Sequence, residues 1–255
     1  MTAVTPPVTR SHGREAARAL AAELSKLVSL PATWLTLGGT LAANPILAIA
    51  FTNAARHGPT GPRSAPDVGL TSIAYVQAGF VVLGVLAACS EYEGGQIRTT
   101  LTAMPRRSLQ FAAKHLAVAI VALPAAAITA ASGVVLAAGA LGGTAAPTTA
   151  GHVVRTLSGA AAYLALWTLI GVAVGALVRQ TLPAVVAVLG YLFIAGPLLR
   201  AQASAARYLP DSAGSAMWSS VDGGAVAPAR GALLVSAWTI GLIAVALLGY
   251  RRRDN

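Results

Sequence analysis

Residues 68–90 read VGLTSIAYVQAGFVVLGVLAACS, and between Asp67 and Glu91 there is no Asp, Glu, Lys or Arg. A helix needs about 20 such residues to cross the hydrocarbon of a bilayer. The run does not alternate apolar with polar residues, so it does not read as a strand of a membrane barrel. In lipid the backbone must satisfy its own hydrogen bonds, which leaves a spanning helix as the reading. The rest of the chain follows the same pattern. It is 56% hydrophobic and 10% charged over 255 residues, against about 25% charged in soluble domains, and its mean hydropathy is +0.68.

Working outward, further charge-free gaps run from Lys26 to Arg56, Lys114 to Arg155, Arg155 to Arg179, Arg179 to Arg200 and Arg230 to Arg251. With the first they give six spans, near 33–53, 70–90, 113–139, 157–178, 182–199 and 232–250. The fold class expected is therefore all-α: a polytopic membrane protein forming one domain over 14–255, with 1–13 disordered. Lys and Arg distribute as twelve on the side bearing both termini and six on the other. By the positive-inside rule both termini are expected in the cytoplasm, and the protein in the cell membrane. Residues 35–47 followed by Ala48-Ile49-Ala50 resemble a signal peptide. The long, mixed-charge segment before them favours an uncleaved first span.

The segment before span one, REAARALAAELSKLV (14–28), places Leu20, Leu24, Leu27 and Val28 on one helical face and Arg14, Arg18 and Ser25 on another. Glu23 and Lys26 lie further round. This predicts an amphipathic helix along the cytoplasmic membrane surface. Asn44-Pro45 and Pro124 fall inside spans one and three and are expected to bend or break them. Gly171 and Gly175 form a GxxxG in span four, a weak pattern in so Gly- and Ala-rich a chain. The long loop 200–231 is too polar to span; a short helix lying in the outer interface, with Trp218 at headgroup level, is expected.

Several functions are excluded by what is missing. The net charge of +10 comes from short basic groups between apolar runs rather than a continuous stripe, which points to membrane topology and not to nucleic acid. The single cysteine, Cys89, rules out a disulfide framework and a cysteine zinc site. No G-x-x-x-x-G-K-[ST] is present, so the chain holds no nucleotide by a P-loop. His12, His57, His115 and His152 are scattered, and neither H-E-x-x-H nor G-x-S-x-G occurs. The chain reads as a non-enzyme. The span centres lack ionisable residues, which ion-coupled carriers use as a path. If the protein transports, its energy enters from outside this chain.

Charge is instead gathered in SEYEGGQIRTTLTAMPRRSLQFAAKH (90–115). From Glu93 a helix is predicted, with Ile97, Leu101 and Met104 at i, i+4 and i+7, stopped by Pro105. Arg106, Arg107 and Lys114 suit anchoring at an anionic leaflet. Glu91 and Glu93 do not. The run Glu91-Tyr92, Gly95, Ile97-Arg98, Leu101, Pro105-Arg106 and Lys114 resembles the cytoplasmic loop of ABC-2 type transporter permeases, as do AELSKLVSLPATW before span one, the YLP of the last outer loop and the RRRD near the end. Gly94-Gly95-Gln96 departs from that pattern, a second glycine loosening the helix start by about 1 kcal/mol.

This resemblance implies the membrane subunit of an ATP-binding-cassette exporter. It implies a coupling helix between spans two and three that docks on a separate ATPase subunit, where ATP and magnesium are bound; this chain would carry no cofactor, metal or catalytic residue. Glu91, Glu93, Gly95, Ile97, Arg98, Leu101, Met104, Pro105 and Arg106 would form the ATPase contact, the two glutamates pairing with basic groups there. Glu23 and Lys26 on the surface helix would contribute. A second permease copy or paralogue would complete the path, and the segment between spans five and six would fold back on the outer side. Uncharged spans suggest an apolar or amphipathic cargo. A stand-alone six-helix carrier or channel, or a sensor or assembly subunit with an ATPase partner, are the other readings.

Overall fold

The computed structural model describes residues 12–58, 61–93, 107–219 and 227–252. Among these there is helix and no strand. Six helical stretches are long and apolar enough to cross a membrane: Pro31–His57, Ala65–Tyr92, Ser108–Thr144, Ala150–Val178, Thr181–Gln202 and Pro228–Tyr250. They are spans one to six below. Each reaches beyond the charge-free run that announces it, because helical hydrogen bonding continues into the polar flank until a capping residue ends it. Span four starts where the Thr149 hydroxyl accepts from the His152 N–H at 3.3 Å. It ends at Arg179, whose φ of 61° is left-handed and whose N–H reaches back to the Gly175 carbonyl at 2.7 Å. Of the bend or break expected at Pro45 and Pro124, a break does not occur: both helices run through. Losing one N–H per proline bends a helix without ending it when neighbours pack around it.

Spans two and four form the centre. Within their most apolar windows 67% and 61% of residues are buried, against 22% for spans one, five and six. Lipid tails are as apolar as leucine, so burial of apolar area does not hold helices together here; close packing and hydrogen bonds do. The contact between these two helices is therefore decided by glycines. A methyl on Gly84 would run into the carbonyl oxygen of Thr168, and one on Gly171 would sit 2.6 Å from the Val81 oxygen. The pattern at Gly171 and Gly175 thus lies on the central helix contact, with Gly84 as its partner. Phe80, Val81, Leu164 and Trp167 fill the space alongside. A second tight crossing brings Gly69 against Gly133 of span three.

The helix His12–Ser29 is joined to span one by Leu30. Its Ala19, Glu23 and Leu27 are buried against the rest of the chain, with Leu27 packed on Ala87, Ala88, Ala117 and Val118. At the other end of the bundle the segment after span five contains a short helix, as the sequence led us to expect, and it packs against the bundle. It turns through Ser204–Tyr208 into a short helix, Pro210–Ser215, wedged against spans four and six. Gly159 lies under the Met217 carbonyl, Gly214 against the Tyr163 ring and Gly231 under the Ala213 carbonyl. The lack of side chains at these places lets the segment insert. Trp218 accordingly packs 6.3 Å from the Tyr163 ring.

Candidate functional site: a ring of four charges

At the end of the bundle that carries the N-terminal helix, four charged side chains close into a ring. The Lys26 ammonium donates to Glu23 Oε1 at 2.7 Å and to Glu91 Oε1 at 2.8 Å. The Lys114 ammonium lies 2.9 Å from Glu91 Oε2 and 3.5 Å from Glu23 Oε2. Lys114 also donates to the Ala87 carbonyl at 3.3 Å. Signs alternate around the ring and its net charge is zero. Three elements supply it: the N-terminal helix (Glu23, Lys26), the end of span two (Glu91) and the start of span three (Lys114).

Burial explains why the ring closes. Glu23 is 2% exposed and Glu91 5%. An unpaired carboxylate so placed is costly, so each acid is held by two cations. Helical spacing presents the two residues of the N-terminal helix together, since Glu23 and Lys26 are i and i+3. Lys114 reaches the ring from a partly apolar wall by extending its stem, as lysine does at an interface. Burial by itself would lower the pKa of Lys26, but the carboxylates of Glu23 and Glu91 outweigh it and hold the ammonium above its ordinary value of 10.5. Beside the ring is a cavity of about 20 Å³ bordered by Glu91, Gln110, Lys114 and Tyr250, room for about one water. Tyr250 of span six donates to Gln110 of span three at 3.2 Å across it. The guanidinium of Arg179 stacks 5.2 Å above the Tyr92 ring, tying the turn between spans four and five to the end of span two.

The structure thus brings together Glu23, Lys26 and Glu91 of the residues singled out in the sequence. Glu91 is where the geometry departs from expectation: its carboxylate is turned inward onto Lys26 and Lys114 rather than outward to another protein. The reason is its position, since the helix carries Glu91 into a buried site where two lysines converge. Glu93 closes the same helix, and its side chain lies outside the described residues, as do Gly95, Ile97, Arg98, Leu101, Met104, Pro105 and Arg106. Among the described residues no group of histidine, cysteine or acidic side chains is arranged to hold a metal ion.

Two further polar groupings lie in the bundle, neither legible from spacing. Asn44 of span one, fully buried, donates to the Thr129 carbonyl at 2.8 Å and the Ser132 hydroxyl at 2.9 Å, and accepts from Ser72 at 2.7 Å. It fastens spans one, two and three together. At the opposite end Asp211, 5% exposed, accepts from the Tyr191 hydroxyl at 2.6 Å and faces Arg200 at 3.7 Å. Nearby the Tyr163 hydroxyl donates to Gln77 at 2.6 Å. A widened π turn at Tyr191–Ala195, next to the N–H-less Pro197, sets the orientation of Tyr191. The sequence signal for Asn44 was a polar side chain inside an otherwise apolar run; Asp211, in a polar loop, gave no such signal.

The chain matches no protein-family model, and no curated protein matches it. What its own fold defines is a class: an all-helical, multi-pass membrane protein.

Proposed function

We propose that this chain is the membrane-spanning permease subunit of an ABC-2 type ATP-binding-cassette transporter, in the cell membrane with both termini cytoplasmic. An apolar or amphipathic substrate crosses, driven by ATP hydrolysis on a separate ATPase subunit, and a second permease copy or paralogue completes the path. On this reading the N-terminal helix lies at the cytoplasmic surface, and residues 94–106 are the part of the chain that meets the ATPase. The observation that carries this reading is the ring of Glu23, Lys26, Glu91 and Lys114. It ties the surface helix rigidly to both ends of the segment that resembles a coupling loop. Force applied there by an ATPase reaches spans two and three as one unit instead of bending the loop. A buried ion pair is a poor source of stability relative to apolar packing, so its presence here suits a positioning role. In that role Glu91 orients the loop from behind, while Glu93, Ile97, Arg98, Leu101 and Met104 meet the partner.

The test is co-expression with a candidate ATP-binding-cassette ATPase, sought first in the reading frames adjacent to this chain's own, then purification through a tag on the permease and ATPase assay in liposomes. We expect the ATPase to co-purify and its turnover to rise in the presence of the permease. Arg98→Glu should abolish co-purification while leaving the permease folded in the membrane. A permease that purifies without an ATPase and transports alone would make it a carrier or channel. An ATPase partner whose turnover responds to no cargo would make it a sensor or assembly subunit.

A further inference from the structure

Between spans four, five and six the bundle leaves a cavity of about 240 Å³. Its walls are Trp167, Ile170, Val188, Tyr191, Leu209 and Trp238, with few polar atoms. Of the polar atoms on lining residues, the Tyr191 hydroxyl donates to Asp211 at 2.6 Å and the Trp238 indole to the Tyr208 carbonyl at 3.1 Å, while the buried Trp167 indole N–H has no partner among the described residues and offers a water a single donor. Water entering would find too few partners, since an ordered water makes two to four hydrogen bonds. An empty space of this size forfeits dispersion contacts along its whole lining. Hydrocarbon is the filling such walls favour, and the cavity lies between helices long and apolar enough to sit in it.

The rim supplies the second half of the argument. Both hydrogen bonds just named lead outward to arginine. Asp211 faces the half-exposed Arg200 at 3.7 Å. Tyr208 lies under the Arg207 guanidinium, 4.9 Å from its centre to the ring. Among the described residues Asp211 offsets Arg200, and the Arg207 guanidinium adds a further positive charge at the rim. Arginine presents a planar fork of donors that matches phosphate.

We propose that this cavity binds one acyl chain of an anionic membrane phospholipid, entering sideways between spans five and six, with its headgroup phosphate at Arg200 and Arg207. The site lies within a single chain and is independent of the transport reading. A bound lipid there braces the wedge Pro210–Ser215 against spans five and six, through Leu209, Pro210 and Trp238, which the chain touches directly.

The experiment is native mass spectrometry of the full chain released from nanodiscs of equal phosphatidylglycerol and phosphatidylcholine. We expect retention of one phosphatidylglycerol per chain over phosphatidylcholine. Ala187→Trp, at the exposed lip of the cavity, should cut retention about tenfold, because displacing two buried methylenes is worth about that much. Arg207→Gln should keep lipid bound but erase the headgroup preference. Equal retention by a folded Ala187→Trp variant would overturn the acyl site, and an unchanged preference in both Arg207→Gln and Arg200→Gln would overturn the headgroup assignment. Should Ala187→Trp not fold, phosphatidylglycerol bearing a photoreactive acyl chain is used on the unaltered protein. Crosslinks to peptides containing Val188 and Trp238 are expected, and their absence there refutes the site.

Discussion

Removing Lys114 is the sharpest test of the ring. In Lys114→Met the two carboxylates of Glu23 and Glu91, 2% and 5% exposed, are left sharing Lys26. Lys114 makes contacts of 2.9 and 3.5 Å. At an effective dielectric constant near 20, a unit pair at about 3 Å attracts by roughly 5–6 kcal/mol. Much of that offsets the cost of taking both charges out of water, and breaking one partner of a buried pair typically costs about 3–5 kcal/mol. The partial exposure of Lys26, 34% of its side chain, lets solvent reach one side of the ring, so we take the lower end, about 3 kcal/mol. For a chain of this size that is a fall in melting temperature of roughly 6–12 °C. Adding Glu91→Gln removes the surplus negative charge and leaves Glu23 with Lys26. The double variant should then be more stable than Lys114→Met by about 1–2 kcal/mol, the signature of coupled neighbours. The assay is thermal unfolding in one detergent, followed by intrinsic tryptophan fluorescence. If Lys114→Met melts within about 2 °C of the original, or if the losses of the two single variants simply add, the ring does not hold these helices.

Three further outcomes are expected. The Lys26 ammonium has a raised pKa when folded, so its stabilisation is fully present below the ordinary lysine value and is lost as pH climbs through the folded one. Melting temperatures of the original and of Lys26→Met should stay apart by a constant amount from pH 6 to 9, about the neutral range, and converge only above 10.5; convergence at neutral pH would contradict the pairing. Gly84→Ala places a methyl against the Thr168 carbonyl oxygen and should destabilise by about 1–3 kcal/mol through overpacking, whereas Gly139→Ala, where a methyl meets nothing, should be neutral or slightly stabilising in the same melt. Asn44→Leu loses hydrogen bonds to Thr129, Ser132 and Ser72. At about 0.6 kcal/mol per interhelical bond in membranes it should cost about 2 kcal/mol and raise hydrogen exchange in span one, and unchanged exchange there would deny it the fastening role.

How far the ring could be read from the chain depends on the residue. Glu91 stood out because an acid at a membrane edge does not serve anchoring. Glu23 and Lys26 stood out on a helix before the first span. Their meeting could not be read, because 65 residues separate Lys26 from Glu91 and no local period relates them. Lys114 looked like an ordinary anchor for span three, and only its approach to both acids gives it another use. The same holds for the glycines. Gly171 and Gly175 at a spacing of four are common by chance in this composition, and what selects them is Gly84 lying opposite on span two.

The sequence by itself determined the class of the molecule. Gaps between charges, longer than a bilayer requires, compel six helices, because apolar side chains and a self-satisfied backbone are local demands that each segment meets alone. It also determined which stretches are exceptional, since a charge or a buried amide in a greasy chain is costly wherever it sits. The tertiary structure alone decided how those exceptions are satisfied: Glu91 inward on two lysines, Asn44 across three spans, Asp211 under Tyr191 with its short helix wedged into the bundle. In hydrocarbon the burial of apolar area scarcely distinguishes one helix arrangement from another. The choice falls to a few glycine contacts and polar bonds between residues far apart in the chain, and those exist only once the helices have met.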